Sequence, residues 1–145
     1  MSAAYRQLLI ETKARGGRAA SFNVSPVPGQ APVRATRARR DGVVQVQGGT
    51  LKHRRGDMIT RYGDGSRGVV RGDIFKDTYR KVGRGKYAKN PDVTLRATIA
   101  KRNQTVRTLE GPVKARRGDV IMTGTRGERW SMGYDKFKTR YRTHF

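Results

Sequence analysis

The feature that most constrains the fold of this chain is an internal duplication. Shifting the sequence by 62 residues aligns 31–80 with 93–142 without a gap, and twenty of the fifty aligned positions are identical. The longest identical block is Arg-Arg-Gly-Asp, at 54–57 and again at 116–119. Self-similarity at one fixed period is typical of chains built from copies of one structural unit. Because each copy is near the lower size limit for an independent core, we expect the copies to pack on each other or on partners.

The pattern inside each copy predicts mainly β structure. Short apolar and β-branched groups are separated by glycines, as in strands joined by turns. The expected strands are 33–38, 43–46, 58–60 and 67–71 in the first copy and 95–100, 105–109, 120–123 and 128–132 in the second. The Phe-x-x-x-Tyr spacing at 75–79 and 137–141 puts both rings on one face of a helical turn. We therefore predict two tandem small β-barrel or β-roll modules.

The segments outside the copies differ from them in composition. Residues 3–13 have apolar side chains at helical spacing behind Ser2, a favourable N-cap residue, and predict a short helix. Residues 14–30 are rich in Gly, Ser and Pro and indicate an extended basic arm. The expected domains are an N-terminal helix and arm at 1–30, a first β module at 31–80, a basic linker at 81–92 and a second β module at 93–145.

The charge of the chain indicates its partners. The 33 Lys and Arg residues against 11 Asp and Glu give a net charge of +22 on 145 residues. The first copy carries 12 basic and 5 acidic residues (+7) and the second carries 13 and 4 (+9), so the charge is not confined to a tail. Unpaired charge of this size repels itself. It favours a polyanionic partner, either nucleic acid (DNA or RNA) or the acidic surfaces of proteins in a multi-subunit assembly.

Several classes of protein are disfavoured by composition. Without cysteine there is no disulfide framework, thiolate zinc site or cysteine nucleophile. The two histidines, His53 and His144, neither repeat nor accompany a plausible Ser-acid pair. We therefore expect no enzyme activity, no cofactor and no metal site. Apolar runs are too short to span a bilayer, and the sequence opens without a signal-peptide pattern, so we expect no membrane partner and no secretion through a signal peptide.

The basic clusters are the candidate functional residues. They lie at matched positions late in the first strand of each copy and just before each Gly-Asp turn. Guanidinium forks suit phosphate oxygens and give sequence-independent, salt-sensitive affinity. A solvated basic face is the alternative interpretation. The candidate nucleic-acid-binding residues are Arg37, Arg39, Arg40, Lys52, Arg54, Arg55, Lys101, Arg102, Lys114, Arg116 and Arg117.

Two further motifs have structural interpretations. Arg-Gly-Asp triplets at 55–57, 71–73 and 117–119 suggest an adhesive function, but two of them form the repeated turn. There the glycine allows an unusual backbone angle and the aspartate bonds neighbouring amides, so turn chemistry explains them better. Trp130 lies within an expected strand, and we expect it to fill the core of the second module rather than to stack on bases.

The second copy contains a longer series of motifs: Gly-Asp at 118–119, Thr-Gly at 123–124, Gly-Glu-x-Trp at 127–130 and Phe-x-x-x-Tyr at 137–141. This series resembles the PGDYG family of short bacterial and phage modules. The family proline is replaced by Arg55 and Arg117, and the aromatic residue after Asp by Met58 and Val120. The first copy also departs at 66 and 68, where it has Ser and Gly. The resemblance implies the fold of the module and a phage or bacterial setting, without an activity.

Together these features predict a non-enzymatic basic binding protein. Its tandem modules would contact the nucleic-acid phosphate backbone within a large nucleoprotein assembly, in a virion or in the cytoplasm of a bacterial host. A phage virion structural protein is the alternative, as a capsid or tail accessory or cement component binding acidic surfaces of other virion proteins. A host-modifying regulator is a third hypothesis.

Overall fold

The computed structural model describes residues 21–144, so the predicted helix at 3–13 and the first part of the arm lie outside the described residues. The described chain is mainly β. Its elements in chain order are β1 (Phe22–Pro26), β2 (Val33–Arg37), β3 (Gly42–Val46), β4 (Gly49–His53), β5 (Met58–Arg61), β6 (Arg67–Val70), α1 (Gly72–Thr78), β7 (Tyr79–Gly83), β8 (Lys86–Lys89), β9 (Leu95–Ile99), β10 (Gln104–Thr108), β11 (Gly111–Ala115), β12 (Val120–Thr123), β13 (Arg129–Met132), α2 (Tyr134–Arg140) and β14 (Tyr141–His144).

The described residues divide into two compact units. The repeat-1 unit comprises residues 28–91, and the repeat-2 unit combines 21–27 with 92–144. The repeat-1 unit has a five-stranded antiparallel sheet in the order β6-β5-β2-β8-β7 and a separate hairpin, β3–β4. The repeat-2 unit has a sheet in the order β13-β12-β9-β1-β14 and the hairpin β10–β11. Within the described chain no sheet closes into a barrel, which corrects the expected barrel closure. The hairpin of each unit forms its own two-stranded sheet instead of joining the ladder.

The two sheets differ in the origin of one strand. In the repeat-1 unit β8 lies between β2 and β7 and follows β7 after a short turn. In the repeat-2 unit the same place, between β9 and β14, is taken by β1 from before the first copy. The registers agree: Tyr87 pairs with Val33 and Lys81, and Val24 pairs with Leu95 and Thr143. The segment expected to be a linker thus forms strands, and part of the expected arm becomes an inner strand of the repeat-2 sheet.

Each five-stranded sheet buries one face under a short helix. In the repeat-2 unit the core on this face contains Phe22 and Val24 from β1, Phe137 from α2, and apolar residues of β9 and β12. The corresponding cluster of the repeat-1 unit is smaller, with Ala35, Met58 and Phe75 buried. Burial of apolar surface is the main stabilising term in folding. The repeat-2 unit therefore has the larger buried core of the two, and β1 supplies part of it.

The repeated Phe-x-x-x-Tyr spacing does bring its rings together. The ring centroids of Phe75 and Tyr79 are 4.5 Å apart with planes at 9°, and those of Phe137 and Tyr141 are 5.8 Å apart at 16°. Each phenylalanine lies in the helix, and each tyrosine begins the strand after it. The stacked pair therefore fixes the helix–strand junction against the core in both units.

The opposite face of the repeat-2 sheet is covered by the hairpin β10–β11. Ala100, Val106, Ala115 and Ile121 form a second buried cluster there. In the ladder between the hairpin strands Val106 lies opposite Val113 and Gln104 opposite Ala115, so these side chains share the inner face. The hairpin is thus held on the sheet by a few small apolar side chains, with its other face turned to solvent.

Candidate nucleic-acid interface

The repeated Arg-Arg-Gly-Asp block forms the same turn in both units. In the repeat-1 unit the Asp57 N–H donates to the Arg54 carbonyl oxygen at 3.0 Å, and Asp57 Oδ2 accepts the Arg54 N–H at 2.8 Å. Gly56 has φ +94°, a left-handed conformation that favours glycine. The turn at 116–119 repeats these features, with distances of 2.9 and 2.8 Å and a glycine φ of +92°. The predicted turn chemistry of the glycine and the aspartate is confirmed.

Backbone hydrogen bonds join this turn to the loop that follows the first strand of each copy. The Ala38 N–H donates to the Asp57 carbonyl oxygen at 2.8 Å, and the Gly56 N–H donates to the Ala38 carbonyl oxygen at 2.9 Å. In the repeat-2 unit the equivalent distances at Ala100 are 2.9 and 2.8 Å. Two clusters that are well separated in sequence therefore become neighbours. We call residues 38–41 with 54–57, and residues 100–103 with 116–119, the basic corners.

A second side chain braces each basic corner. Asp41 Oδ1 accepts the Arg55 N–H at 2.9 Å, and Asn103 Oδ1 accepts the Arg117 N–H at 2.9 Å. Our sequence reasoning missed both residues. The signal for them in the sequence was that Asp41 aligns with Asn103, so both copies have a short side chain with an acceptor oxygen at this position. Together with the turn aspartate, this acceptor holds the backbone of both arginines while their guanidinium groups extend outward.

The basic corners concentrate positive charge. Each has four exposed cations, which are Arg39, Arg40, Arg54 and Arg55 in one unit and Lys101, Arg102, Arg116 and Arg117 in the other. The acidic side chains of the corners, Asp41, Asp57 and Asp119, accept backbone N–H groups and form no ion pair with a described Lys or Arg. Formal charge is therefore +2 at one corner and +3 at the other. The acids stabilise the backbone without covering the guanidinium groups.

Two of the three remaining candidate residues lie at the margins of the corners. Lys52 is opposite Val43, and Lys114 is opposite Thr105, on the outer faces of the hairpins. Both lysines are exposed and extend the positive surface along the hairpin. Arg37 is also exposed, but it lies opposite the buried Met58 and so shares the helix-covered face of its sheet. Arg37 is the one candidate that the structure does not bring to the corner.

Other candidate chemistry finds structural explanations. Trp130 is half-buried and packs against the core of the repeat-2 unit, in agreement with the core interpretation. In the Arg-Gly-Asp triplet at 71–73, which is not part of the repeated turn, Arg71 Nε donates to Asp73 Oδ1 at 2.6 Å, an ion pair within the sequence motif. Among residues 21–144 no group of three or more His, Asp or Glu side chains is placed to hold a metal ion. No helix in the described part of the chain is long and apolar enough to cross a membrane.

Comparison with protein-family models, with curated proteins and with solved structures finds no match to this chain. The resemblance to PGDYG modules therefore stays a prediction. The candidate interface depends on its own geometry, which is the same hydrogen-bonded corner formed twice.

Proposed function

We propose that this protein is a non-enzymatic nucleic-acid-binding protein. Its two units are tandem copies of one β module, and its basic corners contact the phosphate backbone within a large nucleoprotein assembly. The observation that carries the proposal is the duplicated corner, where a braced turn presents four exposed cations and the local acids bond backbone groups.

The residue types at the corner suit phosphate oxygens. Seven of the eight corner cations are arginines, whose planar guanidinium groups donate two hydrogen bonds to one phosphate. Both backbone N–H groups of each arginine pair in the Arg-Arg-Gly-Asp turn are already bonded, so binding is through side chains. Contacts of this kind position a protein on the backbone and carry no base information. We expect binding to DNA and RNA with little dependence on sequence.

The strand order supports the tandem-module part of the proposal. Each unit has the same order of equivalent strands once β1 is equated with β8. Equivalent hydrogen bonds extend beyond the strands: the Val27 N–H donates to the Arg140 carbonyl oxygen, and the Asn90 N–H donates to that of Thr78, both at 2.9 Å. We propose a phage or bacterial nucleoprotein particle as the setting because the second copy resembles PGDYG modules.

The test removes the corner arginines and measures affinity for DNA and RNA. The variant R54A/R55A/R116A/R117A should bind roughly a hundredfold or more weakly at about 0.1 M salt, since each lost phosphate contact costs close to tenfold. The matched control K76A/R80A/K81A/R84A removes the same charge from exposed residues outside the corners and should lose less than about tenfold. Equal losses in the two variants would overturn the assignment to the corners.

An acidic protein surface is the competing partner. In that case the intact chain would bind neither DNA nor RNA measurably at low salt. It would instead remain with purified particles after nuclease treatment, as mass spectrometry of emptied particles would show. This outcome would refute nucleic-acid binding.

A further inference from the structure

A second group of cations crosses the sheet of the repeat-1 unit. Arg67 lies directly opposite Arg61, Arg61 is directly opposite Arg34, and Arg34 is directly opposite Lys86. The four residues therefore form one row across β6, β5, β2 and β8. Side chains directly opposite each other on antiparallel strands project from the same face of a sheet. We call these four residues the cation row.

The cation row lies on the face of the sheet opposite the helix-covered core. Ala35, next to Arg34, is buried in the helix-covered core, so Arg34 projects from the other face. Arg34, Arg61, Arg67 and Lys86 are all exposed, and none forms an ion pair with a described acidic residue. The cation row therefore presents a continuous line of accessible positive charge.

This arrangement lowers the folding stability of the protein in the absence of nucleic acid. Like charges directly opposite each other on neighbouring strands are destabilising. The equivalent row of the repeat-2 unit avoids most of that repulsion. There Arg129 lies opposite Thr123, Thr123 opposite Arg96, and Arg96 opposite Asn23. Arg96 Nη1 also donates to Asn23 Oδ1 at 3.4 Å. The same slots thus accept neutral residues, and the fold does not require four cations.

We propose that the cation row is a second phosphate-binding site, present in the repeat-1 unit alone. The proposal rests on the function proposed above, because it names the same class of ligand. Strands lie about 4.8 Å apart, so the row is roughly 14 Å long. One strand of a duplex advances about 3.4 Å per nucleotide along the axis, so this length corresponds to about four phosphates. A regular line of cations without an apolar anchor matches a phosphodiester backbone better than a protein surface, whose interfaces are centred on buried apolar side chains.

The cation row extends the basic corner of the same unit. Arg61 ends β5, whose first residue Met58 directly follows the corner turn, and Arg34 lies near the start of β2, whose end leads into the corner loop. At about 3.3 Å per residue, the row and the corner are roughly 10 to 13 Å apart along the strands. We expect both sites to act on one nucleic acid, with the repeat-1 unit making more phosphate contacts than the repeat-2 unit.

The experiment exchanges residues between the two rows. R61T/K86N gives the repeat-1 unit the residues of the repeat-2 unit at those slots, and N23K/T123R makes the reverse change. Affinity for a duplex is measured against salt concentration by fluorescence anisotropy for both variants, the intact chain and R54A/R55A/R116A/R117A. We expect R61T/K86N to reduce the salt slope by about 1.8 and N23K/T123R to increase it by about the same amount, at about 0.9 per phosphate.

Thermal unfolding without nucleic acid supplies an independent readout. R61T/K86N should unfold at a higher temperature than the intact chain at low salt, and the difference should shrink as salt screens the charges. A phosphate site therefore predicts weaker binding together with a more stable fold. Loss of binding together with a lower unfolding temperature would indicate that R61T/K86N misfolds. The proposal would then be overturned if N23K/T123R also failed to increase the salt slope.

The outcomes separate this proposal from the one it rests on. If R61T/K86N keeps the full slope while the corner variant loses affinity, the cation row binds no phosphate and the proposed function stands. If the intact chain binds no nucleic acid, both proposals fail. If the row variant loses slope and the corner variant does not, the cation row binds phosphate and the assignment to the corners is wrong.

Discussion

Replacing Phe22 by alanine tests whether β1 is a structural part of the repeat-2 unit. Phe22 is 2% exposed, and its ring packs edge-on against Phe137 with centroids 6.3 Å apart. Truncating a buried phenylalanine costs about 3–5 kcal/mol in transfer free energy and cavity formation. Small domains have a total stability of about 5–15 kcal/mol. F22A should therefore remove a large part of the stability of the repeat-2 unit.

The expected loss is confined to one unit. Phe22 and Val24 pack with residues of β9, β12, α2 and β14, all within the repeat-2 unit. N23A is the matched control, since Asn23 lies between them in the same strand but is exposed on the other face. We expect its effect to stay within about 0.5 kcal/mol, as is usual for surface substitutions. Y87A, at the position of β8 that is equivalent to Val24, should instead weaken the repeat-1 unit.

Native-state amide hydrogen exchange measures the two units separately, because protection reports local opening free energies. In F22A the amides of β9 and β12 should lose protection by about two to three and a half orders of magnitude, which is the expected free energy divided by 1.4 kcal/mol per tenfold. The amides of β2 and β5 should keep their protection. Equal loss in both units, or no loss in β9 and β12, would refute the structural role of β1.

Three further substitutions test the packing of the repeat-1 unit. A Cβ on Gly42 would lie 2.9 Å from His53 Nε2, so G42Q should destabilise the unit by about 1–3 kcal/mol. Adding H53A gives the pair found in the other unit and should restore stability, as a double-mutant cycle followed by thermal unfolding would show. Thr60 is fully buried with its hydroxyl unpaired among the described residues, so T60V should stabilise by about 1 kcal/mol in urea unfolding, and a loss would contradict this. A Cβ on Gly72 would overlap the Gly56 carbonyl oxygen, so G72A should lower the unfolding temperature by several degrees. An unchanged unfolding temperature would contradict this and show that the corner turn shifts to accommodate the methyl group at no cost in stability.

The sequence predicted four strands in each copy because their signal is local and occurs twice, but it did not predict β4, β7, β11 and β14. The expected strands at 33–38 and 95–100 correspond to β2 and β9, and those at 58–60 and 120–123 to β5 and β12. The strands β1 and β8 were missed since they share no sequence and lie at opposite sides of their copies. The two strands are equivalent because they pair with equivalent partner strands, and pairing between distant segments cannot be read from a local sequence pattern.

The differences between the copies become intelligible only in three dimensions. Tyr62 replaces Gly124, and Gly68 replaces Trp130. A Cβ on Gly68 would lie 3.1 Å from Tyr62 Oη, so the tyrosine ring covers this glycine. In the other unit Gly124 gives room to the carboxyl group of Glu128. Substitutions that look like departures from a motif are therefore paired changes: the aromatic side chain is Tyr62, just after β5, in one unit and Trp130, in β13, in the other.

The candidate interface was predicted in parts. The sequence identified the basic clusters, but their joining depends on hydrogen bonds between Ala38 and the turn at 54–57. The cation row was missed because Arg34, Arg61 and Arg67 are unremarkable in sequence and become adjacent only through strand register. Both are properties of long-range pairing, whereas charge and turn chemistry are properties of the sequence itself.

The salt dependence of nucleic-acid affinity for the intact chain tests the central claim most directly. Four corner arginines alone, at about 0.9 per neutralised phosphate, predict a slope of log affinity against log salt of about −3.6 or steeper on duplex DNA. Duplexes of different sequence should give the same slope. A slope near zero, or no binding at about 50 mM salt, would contradict binding of the phosphate backbone by the basic corners.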